Sequence, residues 1–366
     1  MKKIFGLLVG LGLLVACSSA DDGPDEPADT FNRSAMLTNW ADNIIIPGYQ
    51  SYVNKLGELT TAANLFNSNP SEDALKTLRN AWLSGYLAFQ QVSMFEIGMA
   101  ETISMRNYTN IYPTDALAID ENIATGEYNL ELPSTNDEQG FPALDYLLYG
   151  TGATDAEIVE AISGTNAKAY ISDLVERMNQ MAQAVLNDWT SGYKETFINN
   201  DGSTASSSVN KMTNDFLFYY EKALRAGKVG IPAGVFSGNQ LSDRVEGLYS
   251  RVHSKVLFHA ALDAAGNFFI GQHLGSAQRG ESLSSYLDYL NSIKDGEDLA
   301  GLIRTQFNMA RSESNSLSED FFQQVESDNS KMLMTYDELQ KNVILMKVDM
   351  FQALNIRIDY VDADGD

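Results

Sequence analysis

Between Trp40 and Phe66 the apolar residues recur three and four apart, through Ile44, Ile45, Tyr49, Tyr52, Val53, Leu56, Leu59 and Ala63. That spacing lines one face of a helix. Pro47 and Gly48 fall inside the run and predict a kink or a division there. A second helix is predicted from Asn69-Pro70-Ser71-Glu72, where a capping residue, an early proline and an early acid stand together, to about Ile103. From Ser104 to Gln139 the periodicity fails. Pro113, Gly126, Pro133 and many Asn, Thr and Asp residues predict a long ordered excursion with one short helix over 115–124. Excursions of that length inside a compact domain are functional or poorly ordered.

Short helices are predicted at 141–149 and 154–162, and a long one over 167–197. The polar, turn-rich stretch 199–208 is the clearest break in the chain. Beyond it the pattern gives helices at 209–226, 241–269, 282–293, 296–315, 318–327 and 332–356, with a second irregular excursion over 227–238. Only 356–361 offers a short extended piece, and no series of alternating strands occurs. The fold class is all-α, with two antiparallel helical bundles, 35–200 and 208–358, packed side by side.

The length of 366 residues suits one large or two ordinary domains, and 44% apolar residues suffice for their cores. With 49 acidic against 25 basic side chains the net charge is −24. Such a chain repels phosphate backbones and anionic membrane surfaces, which excludes nucleic acid as a partner and leaves cations and basic ligands. One cysteine makes no intramolecular disulfide, and three histidines populate few transition-metal sites.

The cysteine has a place of its own. Lys2 and Lys3 precede an apolar run, Ile4 to Ala16, that is too short to span a bilayer but suits the core of a secretory signal. Leu14-Val15-Ala16-Cys17 then resembles a lipobox, which implies cleavage after residue 16 and lipidation at Cys17. Residues 17–34 form an acidic tether with few large apolar side chains to order it. Its serine-rich, then acidic start also resembles the export tags of some surface lipoproteins. The expected location is the cell envelope, as an outer-membrane lipoprotein that is periplasmic or surface-exposed, monomeric, and held to the membrane through its lipid. Asp359 to Asp366 reads as an acidic tail. Its Asp-x-Asp-Gly-Asp is similar to the start of a calcium loop, but the chain lacks the glutamate such a loop needs at its twelfth position.

Standard site chemistry is short of parts. His253 and His259 lie six residues apart on one predicted helix, about 9 Å along its axis and on different faces, so they share no metal. His273 lies farther still. No nucleophile elbow, phosphate-binding glycine loop or HExxH pair occurs, and the absence of strands excludes a Rossmann cofactor site. The aromatic residues, at helical spacing, read as core.

One segment stands apart: Gly140-Phe141-Pro142-Ala143-Leu144-Asp145-Tyr146-Leu147-Leu148-Tyr149-Gly150. It resembles the signature of the imelysin family, in which Gly-x-His-x-x-Glu precedes a Tyr-Leu-Leu-x-Gly-like continuation. Trp82, Gln90, Glu96 and Gly98 are similar to the helix that precedes that signature. The Tyr49 to Phe66 helix and the Gly230 to Gly238 loop extend the similarity over about residues 35–357. The resemblance implies two bundle-like helical domains with a site between them, an envelope location, and association with iron-regulated uptake; the family was named for a proposed metallopeptidase activity. In the signature, a histidine and a glutamate at i and i+3 share a helical face and could hold one metal. Here those positions are Pro142 and Asp145. Proline has no side-chain donor, so half of the pair is missing and the peptidase reading loses its ligand.

The expected function is therefore a non-catalytic binding or accessory component of iron or haem uptake, with iron, haem or an outer-membrane uptake receptor as partner. Its candidate binding residues are Trp82, Gln90, Glu96, Pro142 and Asp145. No metal set is assigned, and Glu96 and Asp145 are the carboxylates the motif offers one. The alternatives are a metallopeptidase that assembles its metal from those carboxylates, and a carbohydrate-binding or scaffold protein of the envelope.

Overall fold

The structure, a computed structural model, describes residues 29–360. The signal segment, Cys17, the tether up to residue 28 and the tail from 361 lie outside the described residues. Asn32 caps the first helix by accepting the Ala35 N–H, and α1 (Arg33–Asn39) continues through a widened π-helical turn at Trp40–Ile45 into α2 (Ile46–Ser68). The division expected at Pro47 is absent. The widened turn carries the chain past the proline's missing N–H, and the Asn43 carbonyl that this N–H would have met accepts Leu274 N–H at 2.9 Å instead.

Ser71 caps α3 (Glu72–Gln90), which ends well short of the expected Ile103. Residues 91–98 turn irregularly because Asp215 captures the Glu96 backbone N–H and Gly98 takes φ +62°. The excursion then holds α4 (Met99–Thr102), α5 (Met105–Thr109) and α6 (Ala116–Thr125), the last close to its expected bounds. After it come α7 (Gly140–Asp145), α8 (Asp155–Ile162, opened by a Thr154–Glu157 capping box), α9 (Thr165–Asp188) and α10 (Lys194–Asn199).

Ser207 caps α11 (Ser208–Phe218), which widens into a π-helical stretch over Tyr219–Gly230. The helix expected from Leu241 begins only at Ser254, as α12 (Ser254–Phe269). Residues 245–253 are irregular, with Gly247 and Arg251 at positive φ, and Asp145 accepts two of their backbone N–H groups. Then follow α13 (Leu283–Tyr289), the antiparallel pair β1 (Ile293–Lys294) and β2 (Glu297–Asp298), α14 (Leu299–Glu313), α15 (Phe321–Ile344) and α16 (Phe351–Ala353). The extended pairing expected near 356–361 is not formed over 356–360. Asn214 takes those backbone groups instead, donating to the Arg357 carbonyl and accepting from Asp359 N–H.

The all-α expectation holds. Contacts gather the described residues from Asn32 onward into one compact unit. Within it α2 packs on α3 and α9, α15 packs on α14 and on the Tyr219–Gly230 stretch, and α12 lies against both α3 and α14. Phe268 of α12 packs against Trp40, Phe95 and Phe216 with ring centroids 5.0 to 5.4 Å apart, so apolar residues from before and after 199–208 share one core. No helix among the described residues is long and apolar enough to cross a membrane.

Candidate functional site

The segment Gly140 to Gly150 enters its helix through a position only glycine fills. Gly140 has φ +78°, and a β-carbon there would lie 2.2 Å from the Thr109 carbonyl oxygen. Trp82 Nε1 donates to the Phe141 carbonyl at 3.1 Å, and the Phe141 ring stacks on Tyr86 with centroids 4.4 Å apart. Pro142 is buried in the first turn of α7, where no intrahelical partner awaits its missing N–H. The sequence places it there correctly, and it offers no donor.

Asp145 closes the same short helix, 2% exposed. One of its oxygens accepts Tyr249 N–H at 2.9 Å and the other accepts Ser250 N–H at 3.0 Å. Burial pushes its carboxyl up to about 6, although these N–H groups pull the other way. Both oxygens thus serve to fix the irregular 245–253 segment.

That segment carries Glu246, which is buried and ion-paired to the buried Lys228. Gln90 Nε2 donates to Glu246 Oε1 at 3.1 Å, and Asn110 Nδ2 donates to the same oxygen at 2.8 Å. Tyr86 in turn donates its hydroxyl to Asn110 Oδ1. Burial lowers the Lys228 ammonium below its ordinary range, opposed by Glu246. Gln90 Oε1 has no hydrogen-bond partner.

Glu96 belongs to a second network. Its carboxylate accepts Arg106 N–H at 3.1 Å, while the Arg106 guanidinium lies 3.0 Å from Asp215 and 3.9 Å from Glu96. Burial raises Glu96 to about 7 against the pull of Arg106, and raises Asp215 in the same way. Glu96 and Asp145 share no partner in these networks, and among the described residues no three His, Cys, Asp or Glu side chains gather as a metal set. A resident catalytic metal on the signature does not fit this donor set: Pro142 gives nothing, and Asp145 stands without two further His, Cys, Asp or Glu side chains grouped around it among the described residues.

Arg106, Asn110 and Lys228 of the two networks open on one cavity of about 320 Å³. The other face of the Arg106–Asp215 pair opens on a smaller cavity of about 190 Å³, walled by Glu96, Glu101, Asp215 and Asp359. Asp145 of the signature thus reaches the cavity only at second hand, through the 245–253 segment whose Glu246 holds Lys228 of its wall.

The imelysin profile matches residues 45–345. The chain belongs to the imelysin family. Two solved structures share the fold. A putative iron-regulated protein A precursor from Parabacteroides distasonis ATCC 8503 superposes with a TM-score of 0.70 at 18% identity, covering 87% of this chain and 95% of that one. An imelysin-like protein from Psychrobacter arcticum 273-4 gives 0.68 at 19% identity, covering 90% and 97%. Among curated proteins nothing matches significantly.

Of the residues expected at the imelysin site, Gln90 and Asp145 reach the segment holding Glu246, Trp82 and Pro142 support the signature helix, and Glu96 stands in the second network. Trp82 also packs within 5.7 Å of the His253 ring, centroid to centroid. The histidines stay apart, although not as drawn from sequence. His253 is the residue before α12, its Nε2 3.5 Å from the Tyr149 hydroxyl. His259 sits within α12, 3.0 Å from Ser314 Oγ, and burial lowers it to about 4. His273 follows the helix and bonds Gln278 through its backbone.

Glu246, Lys228, Arg106, Asn110 and Asp215 were not singled out in the sequence. Glu221, Arg225 and Lys228 recur at i, i+4 and i+7, which reads as a solvated stripe, yet all three are at most 3% exposed.

Proposed function

We propose that this imelysin is a lipid-anchored envelope protein that binds a ligand in iron or haem acquisition and does not cleave peptides. The observation that carries the reading is the use of the signature itself. Its histidine position is a buried proline, and both oxygens of its remaining carboxylate hold the backbone of residues 249 and 250. The cavity lined by Arg106, Asn110 and Lys228 supplies a place to bind, and the name of the Parabacteroides protein associates this fold with iron regulation. The lipobox-like Leu14 to Cys17 supports the anchor.

The test has three parts. Purified protein is titrated with ferrous ion, ferric complexes and haem, expression is followed under iron limitation, and a peptide library is digested in parallel. Saturable binding of an iron species and induction by iron limitation are expected. Absence of both binding and induction would overturn the iron reading. Peptide cleavage abolished by Asp145→Ala would establish the metallopeptidase instead. Metabolic labelling of Cys17 with a fatty-acid analogue, absent in Cys17→Ser, tests the anchor.

A further inference from the structure

The wall of the cavity lined by Arg106, Asn110 and Lys228 contradicts the charge of the protein around it. In a chain of net charge −24, four basic side chains line this one space, Arg106, Lys222, Lys228 and Arg244, and no aspartate or glutamate does. The carboxylates that pair with three of them stand off the cavity wall. Asp215 holds Arg106 and opens on the neighbouring cavity, Glu246 holds Lys228 from within the core, and Glu221, fully buried, lies 3.2 Å from Lys222. Cations fixed from outside the wall and facing inward are preorganised donors, which suits an anion and repels a bare metal ion.

The remainder of the wall is apolar and aromatic, with Phe89, Ile111, Phe218 and Ile231. Tyr112 and Tyr219 add hydroxyls, and burial raises both phenols far above neutrality, so they stay protonated and can donate. A volume of about 320 Å³ matches a small organic molecule at the lower end of ligand pockets.

We infer that this cavity binds a small organic anion, a carboxylate carried on a ring-bearing apolar body, which Arg106, Lys222, Lys228 and Arg244 recognise by charge. The inference rests on the binding-protein reading above and names its ligand class. Iron would then enter the site as part of such an anionic chelate, not as a free ion. The charged ends meet the guanidinium and ammonium groups, and the ring covers the phenylalanine and isoleucine side of the cavity.

Isothermal titration calorimetry on the intact chain tests this with 2,3-dihydroxybenzoate, its ferric complex, its neutral amide and benzylamine. The acid or its ferric complex is expected to bind saturably, about tenfold or more tighter than the amide, with benzylamine excluded and affinity falling as salt rises. The two acid arms separate the free anion from its iron complex. Lys222→Gln and Arg244→Gln, at side chains 20% and 50% exposed, should each weaken binding roughly three- to tenfold without unfolding the protein. Ala223→Phe, which fills the cavity, should abolish it. Equal affinity for acid and amide, no saturable binding of either acid form, or affinity unchanged in both charge variants would overturn the inference. Ferrous ion or haem binding without binding of the acid would overturn it and leave the iron reading standing. Binding of the free acid alone, with no iron species bound, would support it while overturning that reading.

Discussion

Replacing Asp145 by asparagine separates what its charge costs from what its shape supplies. In the folded chain burial raises this carboxyl from its ordinary 3.8 to about 6. Each pH unit of such a shift corresponds to about 1.36 kcal/mol, so holding the ionised form costs about 3 kcal/mol relative to the protonated one. The sign follows from the proton count. Between pH 4 and 6 the folded state holds a proton that the unfolded state has released, so the stabilisation present below pH 4 is lost as pH rises through 6. The asparagine variant keeps one acceptor oxygen for Tyr249 or Ser250, leaves the other N–H short of a partner, and does not titrate. Urea unfolding at pH 4, 5, 6 and 7.5 reads the difference. The stability of wild type relative to Asp145→Asn should fall by about 2.4 kcal/mol from pH 4 to 7.5, and most of that change should lie below pH 6.5. Parallel pH profiles would refute the reasoning, because they would mean that Asp145 is as well solvated in the fold as outside it.

Glu96→Gln should flatten a second slope, between about pH 4.5 and 7, because burial holds that carboxyl near 7 in the fold; melting temperature against pH measures it. Glu246→Gln leaves the buried Lys228 ammonium without its counter-charge and should lose about 3–5 kcal/mol in denaturant unfolding, most of it recovered by adding Lys228→Met. Gly140→Ala drives a β-carbon into the Thr109 carbonyl at φ +78° and should lose at least about 2 kcal/mol, or fail to fold, as judged by circular dichroism and yield.

The helices α2 and α6 and most of α9 were legible from apolar spacing, although α9 stops at Asp188, short of the expected 197. The misread stretches share one cause. Residues 91–98 and 245–253 carry apolar side chains at plausible helical positions, yet their backbone N–H groups are taken by carboxylates from remote parts of the chain, Asp215 for Glu96 and Asp145 for Tyr249 and Ser250. A local pattern contains no term for a donor captured by a residue more than a hundred positions away. The same holds for the site. Asp145 was marked because it sits in the signature, whereas Glu246 and Lys228 belong to no motif; their burial depends on which elements close over them. The proline at 47 shows the converse case. Its missing N–H was visible, but not that the Asn43 carbonyl it leaves would accept Leu274 N–H, a bond that turns an expected break into a tie between distant segments.

The loss of the histidine and the survival of the rest of the signature therefore have a common explanation. Gly140 is needed for its turn, the Phe141 carbonyl for Trp82, and Asp145 for the 245–253 backbone, so three of the positions answer to packing and hydrogen bonding alone. Only the position of Pro142 makes no hydrogen bond that a proline would sacrifice, since the first turn of a helix leaves its N–H groups without intrahelical partners. A substitution there removes a metal donor without disturbing the frame. Asp145 is left as the one side-chain donor of that pair, 2% exposed and with each oxygen already accepting a backbone N–H. What the frame leaves open is the neighbouring cavity, and its sign is set by Arg106 and Lys228, which the same buried carboxylate networks hold in position. In a chain of net charge −24, the lining of that cavity holds four basic side chains and no carboxylate.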